Sequence, residues 1–108
     1  MTSLVQLKCA PGGQAKALSD VDIAMHLATL PGWQREGQEL RKTFNFKNYH
    51  ETIAFVNASA WVSHREDHHP DMSVHYNRCV VAYSTHDAGG ITLNDFICAA
   101  KLDALFTL

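Results

Sequence analysis

No run of apolar residues in this chain approaches the roughly 20 that a membrane-spanning helix needs, so a membrane protein is not expected. Lysine and arginine are scattered, nine in all with a formal charge of -2. Nucleic-acid binding rests largely on counterion release by clustered cations, so direct binding to DNA or RNA is disfavoured. The cysteines Cys9, Cys79 and Cys98 are odd in number and widely spaced. That suits neither a disulfide framework nor a Cys-x-x-Cys metal site, and they are expected as reduced thiols, two of them in the core. The start, Met1 to Gly13, holds one lysine and no long apolar core; it does not read as a secretory or transit signal, and a cytoplasmic protein is the expectation. No Gly-x-Ser-x-Gly presents a nucleophile, no glycine-rich loop is built to cradle phosphate, and no cysteine has an activating neighbour. These absences leave acid/base chemistry without covalent attack.

What the chain has is histidine. Five of its seven histidines, His64, His68, His69, His75 and His86, fall between positions 64 and 86. An unperturbed pKa near neutrality makes such crowding a pointer to proton transfer or metal ligation. The length of 108 residues, 46% hydrophobic and 19% charged, suits one soluble domain with one modest core.

The hydrophobic periods predict the element order. Residues 1–17, with Pro11, Gly12 and Gly13, read as a flexible N-terminal arm with little function, and 18–108 as the domain. Ser19 is placed to cap a first helix over about 19–30, ended by Pro31-Gly32. Trp33 to Arg35, a polar turn over 36–39 and Leu40 to Phe46 read as a hairpin, with Lys42 an exception on the apolar face that suggests an edge. Asn48 caps a long helix running to about His69, which Pro70 ends. Met72 to Tyr76 and Cys79 to Thr85 form a second hairpin around a two-residue turn, Asn77-Arg78. That turn makes paired positions sum to 155 and sets His86 opposite His69. Gly89-Gly90 read as a flexible link, and Thr92 with Asp95 opens a last helix to about Phe106. The fold class expected is α+β: a single domain in the order α-β-β-α-β-β-α, its four-stranded antiparallel sheet carrying three helices on one face.

For any single histidine a surface or structural role is the default. His64 and His68, at i and i+4 on one helix face, have a spacing that can chelate zinc. The general-base glutamate of His-Glu-x-x-His is missing, however, and neither cysteines nor a pair of acids complete a site. His68, His69 and His86 lie on segments the hairpin brings together, a geometry suited to proton transfer. His75 is expected on a strand or rim, and His26 and His50 at the surface. Asp95 reads either as a helix-capping anion or as a carboxylate that orients His86. Asp67 and Asp87 flank the histidines and are open to the same second reading. Trp33 and Trp61 read as packing or interface residues.

With His64-x3-His68-His69-Pro70, Tyr76 five residues on, His86 nine further and Asp95 eight further, the chain resembles the pterin-4a-carbinolamine dehydratases. Gly32-Trp33, Phe44-Asn45-Phe46, Tyr49, Phe55 and Ser84-Thr85-His86-Asp87 leading to Gly90-Ile91-Thr92 extend the resemblance over about residues 18 to 106. It implies an enzyme that dehydrates a 4a-hydroxytetrahydropterin to the quinonoid dihydropterin, with no metal and no cofactor, in the recycling of tetrahydropterin. On that resemblance His68 and His86 are the candidate acids, and His69 binds the substrate and is a candidate base. Asp67, Ser84, Thr85 and Asp87 line the pocket. It also implies a homodimer or homotetramer and a functional link to an aromatic amino-acid hydroxylase. Met72 stands where the pattern often has tryptophan, and His64 where it often has an acid. A non-catalytic interaction module of the same fold, of the dimerisation-cofactor type, and a histidine metal-binding protein are the alternatives.

Overall fold

Three capping side chains start three helices. In the computed structural model, which describes residues 3–11 and 13–106, Ser19 Oγ accepts from Asp22 N–H at 3.2 Å and opens α1 (Asp20–Leu27). Asn48 Oδ1 accepts from Glu51 N–H at 3.0 Å and opens α2 (Tyr49–Glu66). Thr92 and Asp95 form a reciprocal capping box at the start of α3 (Leu93–Ala104). Each satisfies amide hydrogens that the first helical turn leaves without a partner, and a cap of this kind is worth about 1 kcal/mol.

Between them lie two hairpins, β1 (Gln34–Glu36) with β2 (Glu39–Asn45), and β3 (Asp71–Val74) with β4 (Arg78–Tyr83). They join into one antiparallel sheet of order β1-β2-β4-β3. The β1–β2 turn has two residues, Gly37-Gln38, with glycine at positive φ in the first place. That is the pattern of a type II′ turn, whose twist matches the strands it joins.

Alternation carries the core. Leu40 and Phe44 of β2 and Cys79, Val81 and Tyr83 of β4 are buried on one face of the sheet. Against them pack Phe55 and Val62 of α2 and Phe96, Ile97, Cys98, Ala100 and Leu102 of α3. Each fully buried aliphatic or aromatic side chain contributes about 1.5–3 kcal/mol. All three cysteines are buried, one more than the two expected.

Three expectations are corrected. Lys42 sits on a central strand rather than an edge. Its Nζ is neutralised by Asp103 at 2.9 Å and lies 4.9 Å from the centre of the Phe44 ring, so a charge on the core face is paired and covered. Helix α2 ends at Glu66, three residues before His69, because Asp67 turns into the left-handed conformation at φ 51°. Asp67 and His68 both donate their N–H to the Ser63 carbonyl, so the helix is closed before Pro70 can act. The second hairpin turns at Tyr76-Asn77 rather than Asn77-Arg78: His75 N–H donates to Arg78 O at 2.8 Å, and Val74 pairs with Cys79. The turn carbonyls are held from outside, Asn77 O by Phe46 N–H at 2.8 Å and Tyr76 O by the Thr52 hydroxyl at 3.0 Å. Paired positions therefore sum to 153, and the ladder stops at Asp71–Ala82. Neither His69 nor His86 is a paired strand residue.

Candidate active site

The end of α2, the end of β4 and the start of α3 meet at one end of the sheet, and there the connectors leave a cavity of about 300 Å³. Asp67, His68, His69, Ser84, Thr85, His86 and Asp87 all line it. Every residue the sequence singled out as catalytic or substrate-binding thus faces one space. They come together as loop residues released by the early end of α2 and by β4 stopping at Tyr83. The predicted ladder partnership of His69 and His86 plays no part.

His68 is the most constrained of the three histidines. Its Nε2 lies 2.6 Å from Asp95 Oδ1, and its ring lies nearly parallel to that of Tyr83, 5.8 Å between centres and 11° between planes. Asp95 is wholly buried, and its other oxygen accepts from Thr85 Oγ1 and from Thr92 N–H, both at 2.9 Å. The two hydroxyls of Thr85 and Thr92 also meet at 2.8 Å. A carboxylate only accepts, so Nε2 of His68 carries the hydrogen between them, and Nδ1 is the ring nitrogen left for a ligand. Asp95 therefore joins the two roles weighed for it: it closes the cap of α3 and it holds a histidine. That histidine is His68, where the sequence had suggested His86: from the loop after β4 it is Thr85, and not His86, that reaches Asp95.

His86 stands on a short 3-10 turn, His86–Ala88, and is exposed, as is His69. The loop that carries His86 is pinned by Thr85 and Gly90, whose N–H groups each donate to the other's carbonyl at 3.2 and 3.4 Å. Gly89 takes φ 72° and Gly90 is buried, so this pair closes a tight turn where a flexible link was expected.

The remaining histidines lie elsewhere. His64 is exposed and its ring is 6.2 Å from Trp61, which is exposed too. His75 meets the Ser73 hydroxyl at 2.8 Å, His26 packs on Phe96, and His50 is exposed. Since His68 has left the helix, the i, i+4 face that suggested zinc does not exist. Among the described residues no three His, Cys, Asp or Glu side chains are grouped to hold a metal ion.

Sequence reasoning missed four lining residues: Ala10, Gly13, Ala15 and Asn94. Asn94 had a signal of sorts, standing between Thr92 and Asp95 in a helix cap. The other three sit in an aperiodic arm that gave none. The arm is tied down at several points. Cys9 N–H donates to Glu66 Oε1 at 2.9 Å, and Asn94 both accepts from Ala10 N–H at 2.9 Å and donates to Ala10 O at 3.1 Å. Burial pushes the Glu66 carboxyl up, but hydrogen bonds from Lys101 and Cys9 N–H and the charges of Lys101 and Lys8 outweigh it, leaving the pKa below the usual value of 4.5. Cys9 Sγ lies 3.6 Å from Cys98 Sγ; this contact first, and burial second, push the Cys98 thiol up. Beneath His68, the Tyr83 hydroxyl has no hydrogen-bond partner among the described residues. Burial, then the neighbouring Cys98, Cys9 and Asp95, push its phenol up.

Known proteins resemble this chain in sequence and fold. A relative from Chromobacterium violaceum, named for pterin-4-alpha-carbinolamine dehydratase, is 62% identical over 104 residues, 96% of each chain. The crystal structure of a transcriptional coactivator/pterin dehydratase from Brucella melitensis superposes with a TM-score of 0.80 at 29% identity, covering 83% of this chain and 98% of that one. A pterin dehydratase-like protein described as a RuBisCO assembly factor in the alpha-carboxysome gives a TM-score of 0.56 at 27% identity, covering 68% of this chain and 84% of its own. The family described as pterin 4 alpha carbinolamine dehydratase matches residues 16–105. With the four-stranded sheet, the three helices and the histidine cavity of the pattern all in place, this chain belongs to the pterin-4a-carbinolamine dehydratase family.

Proposed function

We propose that the protein dehydrates a 4a-hydroxytetrahydropterin to the quinonoid dihydropterin and water by histidine acid/base catalysis. The observation that carries this reading is the convergence of His68, His69 and His86 on one cavity, with His68 held by a buried carboxylate. Its volume of about 300 Å³ is at the small end of the roughly 300–1,000 Å³ typical of ligand pockets, which suits a compact bicyclic substrate. Loss of the 4a-hydroxyl as water needs a proton delivered to that oxygen, and formation of the new double bond needs a proton removed from ring nitrogen N5. His68 and His86 are the acids in this scheme; to act as one, His68 carries hydrogens on both ring nitrogens, Nε2–H held by Asp95 and Nδ1–H delivered to the leaving oxygen. His69 binds the ring and takes the N5 proton, while Asp67, Ser84, Thr85 and Asp87 supply polar contacts. Asp95 is a positioning residue that fixes the ring and the protonated nitrogen of His68.

The test is ultraviolet-monitored dehydration of the carbinolamine by the wild type and by His68→Ala and His86→Ala. Each variant is expected to lose about a hundredfold or more in turnover, within the roughly 10²–10⁴-fold that general acid/base groups contribute. Unchanged turnover in both would overturn the assignment.

A homodimer or homotetramer completes the reading. The sheet is open at β1 and β3, and Val74 and Tyr76 beside the β3 edge are exposed apolar side chains that pairing would cover. Light scattering of the purified protein checks this. The proposed setting is the cytoplasm, alongside an aromatic amino-acid hydroxylase whose spent pterin it would return. Among the described residues no helix is long and apolar enough to cross a membrane.

A further inference from the structure

We propose that the N-terminal arm, through residues 8–11 and 13–15, is a substrate-binding wall of the cavity, lying ahead of the stretch that the family description matches. The inference rests on the dehydratase reading and assigns a role to a segment that reading does not use. Ala10, Gly13 and Ala15 line the same cavity as His68, His69 and His86. The family match begins only at residue 16. The Brucella melitensis structure is matched over 98% of its own length yet over 83% of this chain, so a complete neighbouring fold leaves part of this chain over.

The arm is anchored where the site is made. Lys8 Nζ donates to Arg65 O at 3.1 Å, and Cys9 N–H donates to Glu66 Oε1 at 2.9 Å, both in the last turn of α2 from which His68 and His69 emerge. Ala10 is held in both directions by the Asn94 side chain, one residue from Asp95. Glu66 is itself buried and paired with Lys101 at 2.8 Å. A buried ion pair is a costly way to stabilise a fold, and here one of its oxygens is committed to the arm. Cys9 adds a buried side chain against Cys98, and Leu4 and Leu7 pack on the core.

The chemistry of the wall defines its role. Ala10, Gly13 and Ala15 bring methyl groups and backbone and no group that titrates. They can contact a flat heterocycle and exclude water from one side of it, but they can neither give nor take its protons. Such a wall binds ground state and transition state alike, so its loss raises KM and leaves kcat in place.

Two substitutions in the full chain test this. Ala10→Pro deletes the N–H donated to Asn94 and keeps a small side chain; Ala15→Leu fills the cavity from the arm without touching an anchor. Carbinolamine kinetics are paired with the dissociation constant of 7,8-dihydrobiopterin, a pterin without the leaving hydroxyl. The expected result is a rise of about tenfold in KM and in that constant for both variants, equivalent to about 1.4 kcal/mol, with kcat within twofold of the wild type. His68→Ala, by contrast, should lower kcat. Ala15 lies outside the core, so Ala15→Leu keeps the test valid if Ala10→Pro fails to fold. An active wild type whose Ala15→Leu variant keeps both constants within twofold overturns the role of the arm and leaves the dehydratase reading intact. A wild type that binds the pterin without dehydrating it overturns the dehydratase reading, and the dissociation constants then decide the arm alone. A wild type that does neither overturns both.

Discussion

Replacing Asp95 by asparagine exchanges one oxygen for an NH₂ group and reverses the hydrogen-bond polarity at Nε2 of His68. The carboxylate accepts at both oxygens, from His68 Nε2 at 2.6 Å and from Thr85 Oγ1 and Thr92 N–H at 2.9 Å. Asparagine keeps one acceptor. The capping position demands it, because Thr92 N–H can only donate, and the amide NH₂ is then turned towards His68. A donor facing Nε2 forces that nitrogen to accept, so the ring can no longer carry hydrogens on both nitrogens, the form in which it gives one from Nδ1 to the substrate. The loss is one charge-assisted hydrogen bond, worth about 1.5–3 kcal/mol. At 1.36 kcal/mol per decade, kcat should fall by about 10- to 100-fold. Because one amide hydrogen is left buried without an acceptor, stability should also fall, by about 1–3 kcal/mol. The assay is carbinolamine dehydration followed well below the melting transition of the variant, with circular dichroism establishing that it is folded. A folded Asp95→Asn protein whose kcat lies within twofold of the wild type would refute the claim that this carboxylate sets the working state of His68.

Tyr83→Phe removes a buried hydroxyl that has no partner among the described residues while keeping the ring stacked on His68. It should stabilise the protein by about 1 kcal/mol, roughly 4–8 °C in Tm for a domain of this size, and a lower Tm would contradict the assignment. Glu66 has a pKa lowered below 4.5 in the folded protein. Its contribution is therefore present above the unfolded value and lost as pH falls through the folded one. The urea midpoints of wild type and Glu66→Gln should differ at neutral pH and converge in acid; a gap that widens as pH falls would reverse the sign. Exhaustive chelation should leave turnover unchanged, and stoichiometric zinc by metal analysis together with lost activity would instead support the metal-binding alternative.

The parts of the fold that were legible in the sequence are those with a local cause. Ser19, Asn48 and Thr92 each cap the helix expected of them because capping is settled within four residues. The errors arise where a local signal was outvoted. Pro70 is a visible helix stop, but Asp67 in the left-handed region stops α2 first, and a non-glycine residue gives little warning of that conformation. Asn77-Arg78 was a reasonable turn, yet Phe46 N–H and the Thr52 hydroxyl capture the carbonyls one step earlier. At the site, residue identity was readable from pattern while partnership was not: that Asp95 serves His68 depends on how α3 docks, which no spacing encodes. The arm carries no period at all, and its contacts with Glu66 and Asn94 span 57 and 84 positions.

The hairpin whose register is shifted by two positions still points its side chains as expected, with Met72 beside Val81 and packed on the core and Val74 beside Cys79 on the same side at the exposed edge. Inward and outward alternate with a period of two, so a slip by an even number preserves every residue's side of the sheet and an odd one inverts it. For anyone altering this protein, loop length between β3 and β4 is therefore a parity variable. Inserting or removing residues in pairs should leave the histidine cavity, which hangs from the far ends of those strands, supplied by the same faces. A single insertion would turn Met72, which packs on the core, to solvent and carry the connector to His68 and His69 out of reach of Asp95.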